Sequence, residues 1–344
     1  MNFQQLRIVR ETVRCGFNLT GVAATLYTSQ SGVSKHIKDL EDELGVELFV
    51  RKGKRLLGLT EPGKELLGLV ERILLDAASI KRLSEQFSKR DEGQLIVATT
   101  HTQARYVLPK VVAAFKQQFP KVHLVLHQGN PPEIASLVLD GQVDIGIATE
   151  SLKEEPQLAT FPYYTWTHDV IVPVGHPLRG LDNPSLADIA RWPIVTYHAG
   201  FTGRGNIDKA FAAAGLSPDV VMSALDADVI KEYVSLGLGI GIVAAMAHDD
   251  ERDMRLRRLG CEHLFGENVA RIAVRRGGFL RTFAFRFIEL CVPSLTEDTV
   301  RAGMMRESDE AAPGEADRKL KAPRSSEKIG STEKPALRAR AAVR

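Results

Sequence analysis

Between residues 30 and 59 the spacing of apolar residues changes its period, and this constrains the local fold more tightly than any other stretch. Val33, Ile37, Leu40 and Leu44 follow at steps of four, three and four, which predicts one buried face of a helix from about Gln30 to Leu44. Gly45 ends it. Glu47-Leu48-Phe49 then reads as a short strand and Leu56 to Leu59 as its return, around the basic turn Arg51-Lys52-Gly53-Lys54-Arg55. Upstream, Phe3, Leu6, Val9 and Val13 fall on one face of a helix from about Phe3 to Arg14. Val22, Ala23 and Leu26 face inward on a second, short helix that Thr20 can cap. Tyr27-Thr28-Ser29 is the turn into the third helix.

Residues 1–59 therefore predict a winged helix-turn-helix. An ordinary three-helix subdomain is the competing reading, and the chemistry of the outward positions argues against it. Ser29, Gln30, Ser31, Ser34, Lys35 and Lys38 carry the hydroxyl, amide and ammonium groups that read base edges and phosphates in a major groove. Arg51, Lys52, Lys54 and Arg55 around one glycine suit a wing laid over phosphates. The expected partner is double-stranded DNA.

Residues 60–90 carry one long helical pattern. Thr60 is placed to cap it and Pro62 fits its first turn. Leu66, Val70, Ile73, Ala77, Ile80, Ser84 and Phe87 follow four-three spacing, a heptad stripe interrupted only by Ser84. About 27 helical residues would span on the order of 40 Å. The stripe serves either a second copy of the chain or the helix's own domain. A pair is favoured because one recognition helix reads few bases, and two-fold pairing doubles the site.

Composition excludes several other classes. The chain has 344 residues, enough for two or three domains. No apolar run approaches the ~20 residues that cross a bilayer. The start, MNFQQLRIVRETVR, lacks the apolar stretch of a secretory signal. The three cysteines, Cys15, Cys261 and Cys291, form no CxxC pair and no His-Cys cluster, so neither a disulfide framework nor structural zinc is expected. These features point to the cytoplasm and to no metal. A net charge of +2 decides nothing about partners, because the placement of the cations matters more. From about residue 302 large apolar side chains thin out and Pro313, Pro323 and Pro335 interrupt any helix, so 302–344 is read as a disordered tail. Its excess of Lys and Arg could add weak, nonspecific DNA affinity, or simply be solvated.

Residues 93–300 alternate short apolar strands with amphipathic helices, which predicts an α/β effector domain of two Rossmann-like halves, about 93–163 plus 268–292 and about 164–267. In parallel sheets, ligands sit beyond the strands' carboxyl ends and at helix N-termini. The first strand runs into Thr99-Thr100-His101-Thr102-Gln103. The third ends at Thr149. Gly200-Phe201-Thr202-Gly203 precedes a helix start, and Trp166 lies near the expected crossover. These neutral donors suit a small, fully ionised anion, or they are no more than caps and turn residues. Gly237-Leu238-Gly239-Ile240-Gly241 lacks dinucleotide-binding spacing and follows a helix, so it reads as a helix-to-strand turn. His101 has no nucleophile or carboxylate at motif spacing, so no catalytic residue and no cofactor is assigned.

The run AATLYTSQSGVSKHIKDLEDELGVELFVRKGKRLLGLTEPGKELL resembles the N-terminal domain of LysR-type transcription regulators, with Ser31 standing where that family usually has proline. TTHTQARY, IATE, the tryptophan of YTWTHD, FTGR and DADVIKEYVSLGLGIGIVAAMA resemble its cysteine-regulon branch, the CysB/Cbl subfamily, over roughly residues 1–300. The resemblance implies an effector domain like a periplasmic binding protein, with its ligand in the cleft between the halves. It implies dimerisation through the long helix, often with tetramers, and contact with RNA polymerase. It maps a sulfate-like anion onto Thr100, Thr102, Gln103, Thr149, Trp166 and Thr202, with Thr99 alongside. It further implies acetylserine inducers, modulation by sulfide, thiosulfate or sulfate, and target genes of sulfur assimilation. The expected mechanism is a ligand-driven population shift that alters the spacing of paired DNA-binding domains. A regulator of this family with an unrelated effector, and an enzyme with an appended DNA-binding domain, are the competing functions.

Overall fold

A computed structural model describes residues 1–306 apart from 54, 89, 90 and 182, with backbone only for 85–88, 150 and 151. Lys54 and the tail segment 307–344 lie outside the described residues. The folded chain forms two compact units, Met1–Tyr163 with the segment from Val269, and Tyr164–Asn268.

The first unit opens with helices α1 (Phe3–Arg14), α2 (Leu19–Thr25) and α3 (Gln30–Leu44), then the hairpin β1 (Phe49–Lys52) and β2 (Arg55–Leu59). Leu6, Ile8, Val9, Leu19, Val22, Val33, Ile37, Leu40, Leu48, Phe49 and Leu56 bury together as the core of this module. Three details differ from the expected pattern. Asn18, not Thr20, caps α2, its side chain accepting from the Thr20 and Gly21 amides. Leu44, on the last turn before left-handed Gly45, is exposed, and Glu41 takes the buried place on α3. Phe3 is exposed as well, and Ile8 takes its share of the α1 face.

Glu41 is buried because it organises the wing. Its Oε1 accepts from the amides of Leu48 (2.8 Å) and Phe49 (3.2 Å), and its Oε2 pairs with the Arg51 guanidinium. The strand thus enters β1 with its first donors already satisfied.

Helix α4 (Glu61–Ser88) starts as expected. The Thr60 hydroxyl accepts from the Gly63 amide at 3.1 Å and donates to the Glu47 carbonyl at 2.6 Å. Gly63 is needed there, since a Cβ would sit 2.1 Å from the Leu48 carbonyl oxygen. The heptad stripe is divided. Val70 and Leu74 are buried in the winged-helix core with Leu66 and Leu67 packed against it, so Leu66 and Val70 are spent on the chain's own domain. Leu69, Ile73, Ile80 and Leu83 remain exposed, at steps of four, seven and three. The exposed apolar stripe therefore keeps Ile73 and Ile80 of the predicted one and has Leu69 and Leu83 in place of Val70 and Ser84. Further along, Arg82 reaches Asp144 at 3.3 Å, and Arg14 of α1 approaches Asp140 at 3.6 Å.

The rest of the first unit is a four-stranded half-sheet. β3 (Gly93–Thr99), α5 (Leu108–Gln118), β4 (Val122–Gln128), α6 (Pro131–Leu139) and β5 (Ile145–Ala148) follow in order. β3 pairs in parallel with β4 and β5, the connection expected of strand-helix-strand units. The chain leaves through β6 (Leu158–Pro173), longer than the short apolar strands expected in 93–300.

In the second unit, β6 pairs antiparallel with the strand Ile240–Ala244. The elements are α7 (Leu186–Ile189), β7 (Ile194–Tyr197), α8 (Arg204–Ala213), β8 (Val220–Ala224), α9 (Ala227–Ser235), β9 (Ile240–Ala244) and β10 (Leu256–Arg258). β7 lies parallel to β8 and β9. Val170, Val172, Ile194, Ile207, Phe211, Ile240, Ile242 and Phe265 fill the core.

The chain returns along β11 (Glu267–Arg275), antiparallel to β5, and ends in α10 (Thr282–Cys291) and α11 (Glu297–Met305). The tail predicted from 302 is thus corrected at its start, because α11 stays helical to Met305 and buries Val300 and Met304. Its signal was local: Thr296 accepts from the Thr299 amide, acids fill the first turn, and the two apolar residues stand four apart.

Replacing Glu41 with alanine strands two buried amides and frees Arg51. Equilibrium denaturation should show a loss of about 3 kcal/mol, from charged hydrogen bonds worth roughly 1.5–3 kcal/mol each. An unchanged midpoint would contradict the strut.

Candidate DNA face and effector-recognising loops

The residues expected to read DNA are presented to solvent. Ser29 is the N-cap of α3, its hydroxyl accepting from the Gly32 amide at 3.0 Å and lying 3.1 Å from the Ser31 hydroxyl. Gln30, Ser31, Lys35 and Lys38 are exposed, and Ser34 is half-buried. Ser31 occupies the first turn with no disruption, so proline is not required to start this helix. On the wing, Lys52 and Arg55 are exposed. Arg51 is different, because its guanidinium is engaged by Glu41. It braces the hairpin from which the neighbouring cations project.

In the first unit the residues expected to meet the effector gather where the parallel strands end. Thr99 closes β3 and stands opposite Ile147 of β5, two residues before Thr149, so both strand ends open on the same edge. Thr99, Thr100, Thr102, Gln103 and Thr149 are all buried. The hydroxyls of Thr99 and Thr102 have no hydrogen-bond partner among the described residues. A buried hydroxyl without a partner costs roughly 1–3 kcal/mol, so two of them at one strand end need an explanation. The chain then makes a widened π-helical turn at Gln103–Val107 before α5, a local geometry often found at functional sites. Thr102 provides no side-chain cap to that turn. The reading of these threonines as mere caps is therefore not what the structure shows for Thr99 and Thr102.

In the second unit the two expected residues are Trp166 and Thr202. Trp166, on β6, is buried and its Nε1–H has no acceptor among the described residues. Thr202 is buried in the loop before α8 with φ +41°, an outlier conformation for a β-branched residue. Gly203 follows in the left-handed region, and α8 has no side-chain cap. Arg204, the nearest cation, is spent within its own surroundings: Nε pairs with Asp208 at 2.7 Å, and the guanidinium donates to the Tyr197 carbonyl. The described loop presents neutral donors.

Sequence reading missed His168, which lies between these two residues. It is fully buried, its ring is 4.9 Å from that of Trp166, and its Nε2 is 2.9 Å from the Thr202 carbonyl oxygen. Burial pushes its pKa down to about 4, so the ring is neutral. The available signal was its place two residues after Trp166, on the same face of a strand.

Two family profiles cover the chain. "Bacterial regulatory helix-turn-helix protein, lysR family" matches residues 3–64, and "LysR substrate binding domain" matches 88–295. The transcriptional regulator SsuR of Burkholderia cenocepacia is 58% identical over 308 residues, covering 90% of this chain and 100% of the relative. The regulator cbl of Escherichia coli is 52% identical, covering 90% and 98%. The regulator CysB of Burkholderia cenocepacia is 48% identical, covering 90% and 99%. Among solved structures, the cofactor-binding domain of the Cbl transcriptional regulator is 47% identical with a TM-score of 0.61, covering 63% of this chain and 95% of that one. Full-length CbnR complexed with target DNA shares the fold at 22% identity and a TM-score of 0.57, covering 86% and 100%. With its helix-turn-helix, its effector domain and relatives that are all regulators, the chain belongs to the LysR family of DNA-binding transcription regulators.

Proposed function

We propose that this regulator controls sulfur-assimilation genes, binding promoter DNA and answering a sulfate-like anion or an acetylserine compound. The observation that carries the ligand reading is that buried donors among the residues expected to bind it lack partners among the described residues: the hydroxyls of Thr99 and Thr102 in the first unit and, separately, the indole N–H of Trp166 in the second. A fully ionised oxyanion accepts from every direction and donates nothing, which is what such a set requires. Neutral donors also discriminate, since they gain little from chloride and leave protonatable phosphates poorly served. Thr100, Gln103, Thr149 and Thr202 extend the donor sets of the two units. The similarity to regulators named CysB, Cbl and SsuR supports the sulfur assignment. The protein works as a dimer or tetramer, and RNA polymerase is the partner through which DNA binding acts on transcription.

The exposed apolar series Leu69, Ile73, Ile80 and Leu83 supports pairing through α4. Ile80→Asp should shift the sedimenting species from dimer or tetramer toward monomer. An unchanged species would place the interface elsewhere.

Lys35→Ala and Lys38→Ala should each weaken promoter binding by about tenfold and lower the slope of log affinity against log salt by about one. Arg51→Ala should instead reduce thermal stability together with affinity. Equal salt slopes in wild type and both lysine variants would remove those lysines from the phosphate face.

For the effector, the test is promoter binding measured with sulfate, thiosulfate or acetylserine present. Thr100→Ala and Thr202→Ala should lose the response by tenfold or more, about the worth of one hydrogen bond to a charged group, while still binding DNA. A normal response from both variants would assign the regulator to a different effector.

A further inference from the structure

We infer that His168 is the positioning residue of the second unit's ligand loop: its neutral imidazole holds Trp166 on one side and the Thr202 peptide on the other. This rests on the anion reading above and deepens it. His168 needs no contact with the ligand to do so.

The hydrogen bonds run in one direction. The Thr202 carbonyl can only accept, so the proton between it and His168 belongs to Nε2, 2.9 Å away. Nδ1 is then a bare acceptor, and the Asn268 amide nitrogen faces it at 3.5 Å. The Asn268 Oδ1 in turn accepts from the Asn206 side chain of α8 at 2.9 Å. The chain Asn206 to Asn268 to His168 to Thr202 ties the start of α8 back to the loop that precedes it. Asn268 is fully buried, as is His168, so the tautomer cannot be exchanged cheaply with water.

The loop needs such a tie. A threonine at φ +41° is strained by an amount of order 1–3 kcal/mol and persists only where its surroundings hold it. Gly203 shows how closely those surroundings approach. A Cβ there would sit 2.3 Å from Asn268 Oδ1 and 2.8 Å from His168 Cε1. On the other side, the His168 ring meets Trp166 at 66° and is enclosed by Tyr197 and Phe265, with centroids 6.3 and 6.1 Å away. One buried ring therefore fixes both the indole whose N–H lacks an acceptor and the loop that carries the Thr202 hydroxyl. A neutral imidazole does this without adding charge beside an anion site.

The test is calorimetric titration of the full chain with inorganic sulfate. His168→Gln retains a donor near the Nε2 position and should bind within about threefold of wild type. His168→Leu and His168→Phe keep apolar bulk and lose the donor, and should weaken sulfate binding by about tenfold or more. Asn206→Ala, at the half-buried far end of the chain, should weaken it about threefold, and it serves where the Leu or Phe variants fold poorly. In a Thr202→Ala background, His168→Leu should cost less than its full factor in wild type, because the part of its effect that runs through the Thr202 hydroxyl is already gone and only the Trp166 part is left. A general loss of structure would instead multiply in full. Leu and Phe variants that bind like wild type, Gln no better than Leu, or fully multiplying losses would each overturn the positioning role. Wild type that shows no saturable sulfate binding would remove the anion reading itself, and this inference with it.

Discussion

Buried hydrogen-bonding groups must find partners, and this one requirement organises both ends of the molecule. Where the chain supplies the partner, the result is architecture: Glu41 takes the Leu48 and Phe49 amides and the wing is held at the end of α3. Where the chain withholds it, donors are left over in each unit. Thr99, Thr102 and Trp166 bury donors that nothing in the described chain accepts. At Asp169 the two cases meet in one carboxylate: Oδ1 accepts from the Val170 and Cys261 amides, while Oδ2 accepts no hydrogen bond among the described residues and has only the Arg258 guanidinium 3.3 Å away.

The first unit also joins reading head to sensor in one body. Arg14 of α1 and Arg82 of α4 meet Asp140 and Asp144, on either side of the turn that precedes β5. Asp144 is largely buried, which raises its pKa. The Ile96 amide and the Arg82 and Arg281 guanidinium groups counter that rise. The same carboxylate therefore accepts from the Ile96 amide in the middle of β3, the strand that ends at Thr99, and from Arg82 in the last turns of the helix that leads from the DNA-binding module.

Much of this was legible beforehand because the signals were local and periodic. The three helices, the basic hairpin and the alternation of strands and helices all follow from apolar spacing and turn residues. The residues expected to bind the ligand could be located at strand ends and helix starts, but composition alone left anion binding and capping both open, and the resemblance favoured the first. What was not legible depended on tertiary contacts. Periodicity could not show that α4 spends Leu66 and Val70 on its own domain, since a stripe does not say which partner it meets. Nor could it show that Arg51 is held by a carboxylate ten residues earlier, or that His168 joins residues 166, 202 and 268. Those pairings exist only once β6, the loop before α8 and β11 are folded.

The central claim is that a sulfur oxyanion satisfies the donors left unpaired. The chain contains two tryptophans, Trp166 and Trp192. Trp192 packs against the second unit's core with its ring 4.3 Å from that of His176, so it serves as an internal control. In a nitrogen-proton correlation spectrum of the full chain titrated with sulfate, the Trp166 indole N–H signal should move downfield and saturate while the Trp192 signal stays in place. A Trp166 signal that does not move, or that drifts linearly together with Trp192, would contradict the account.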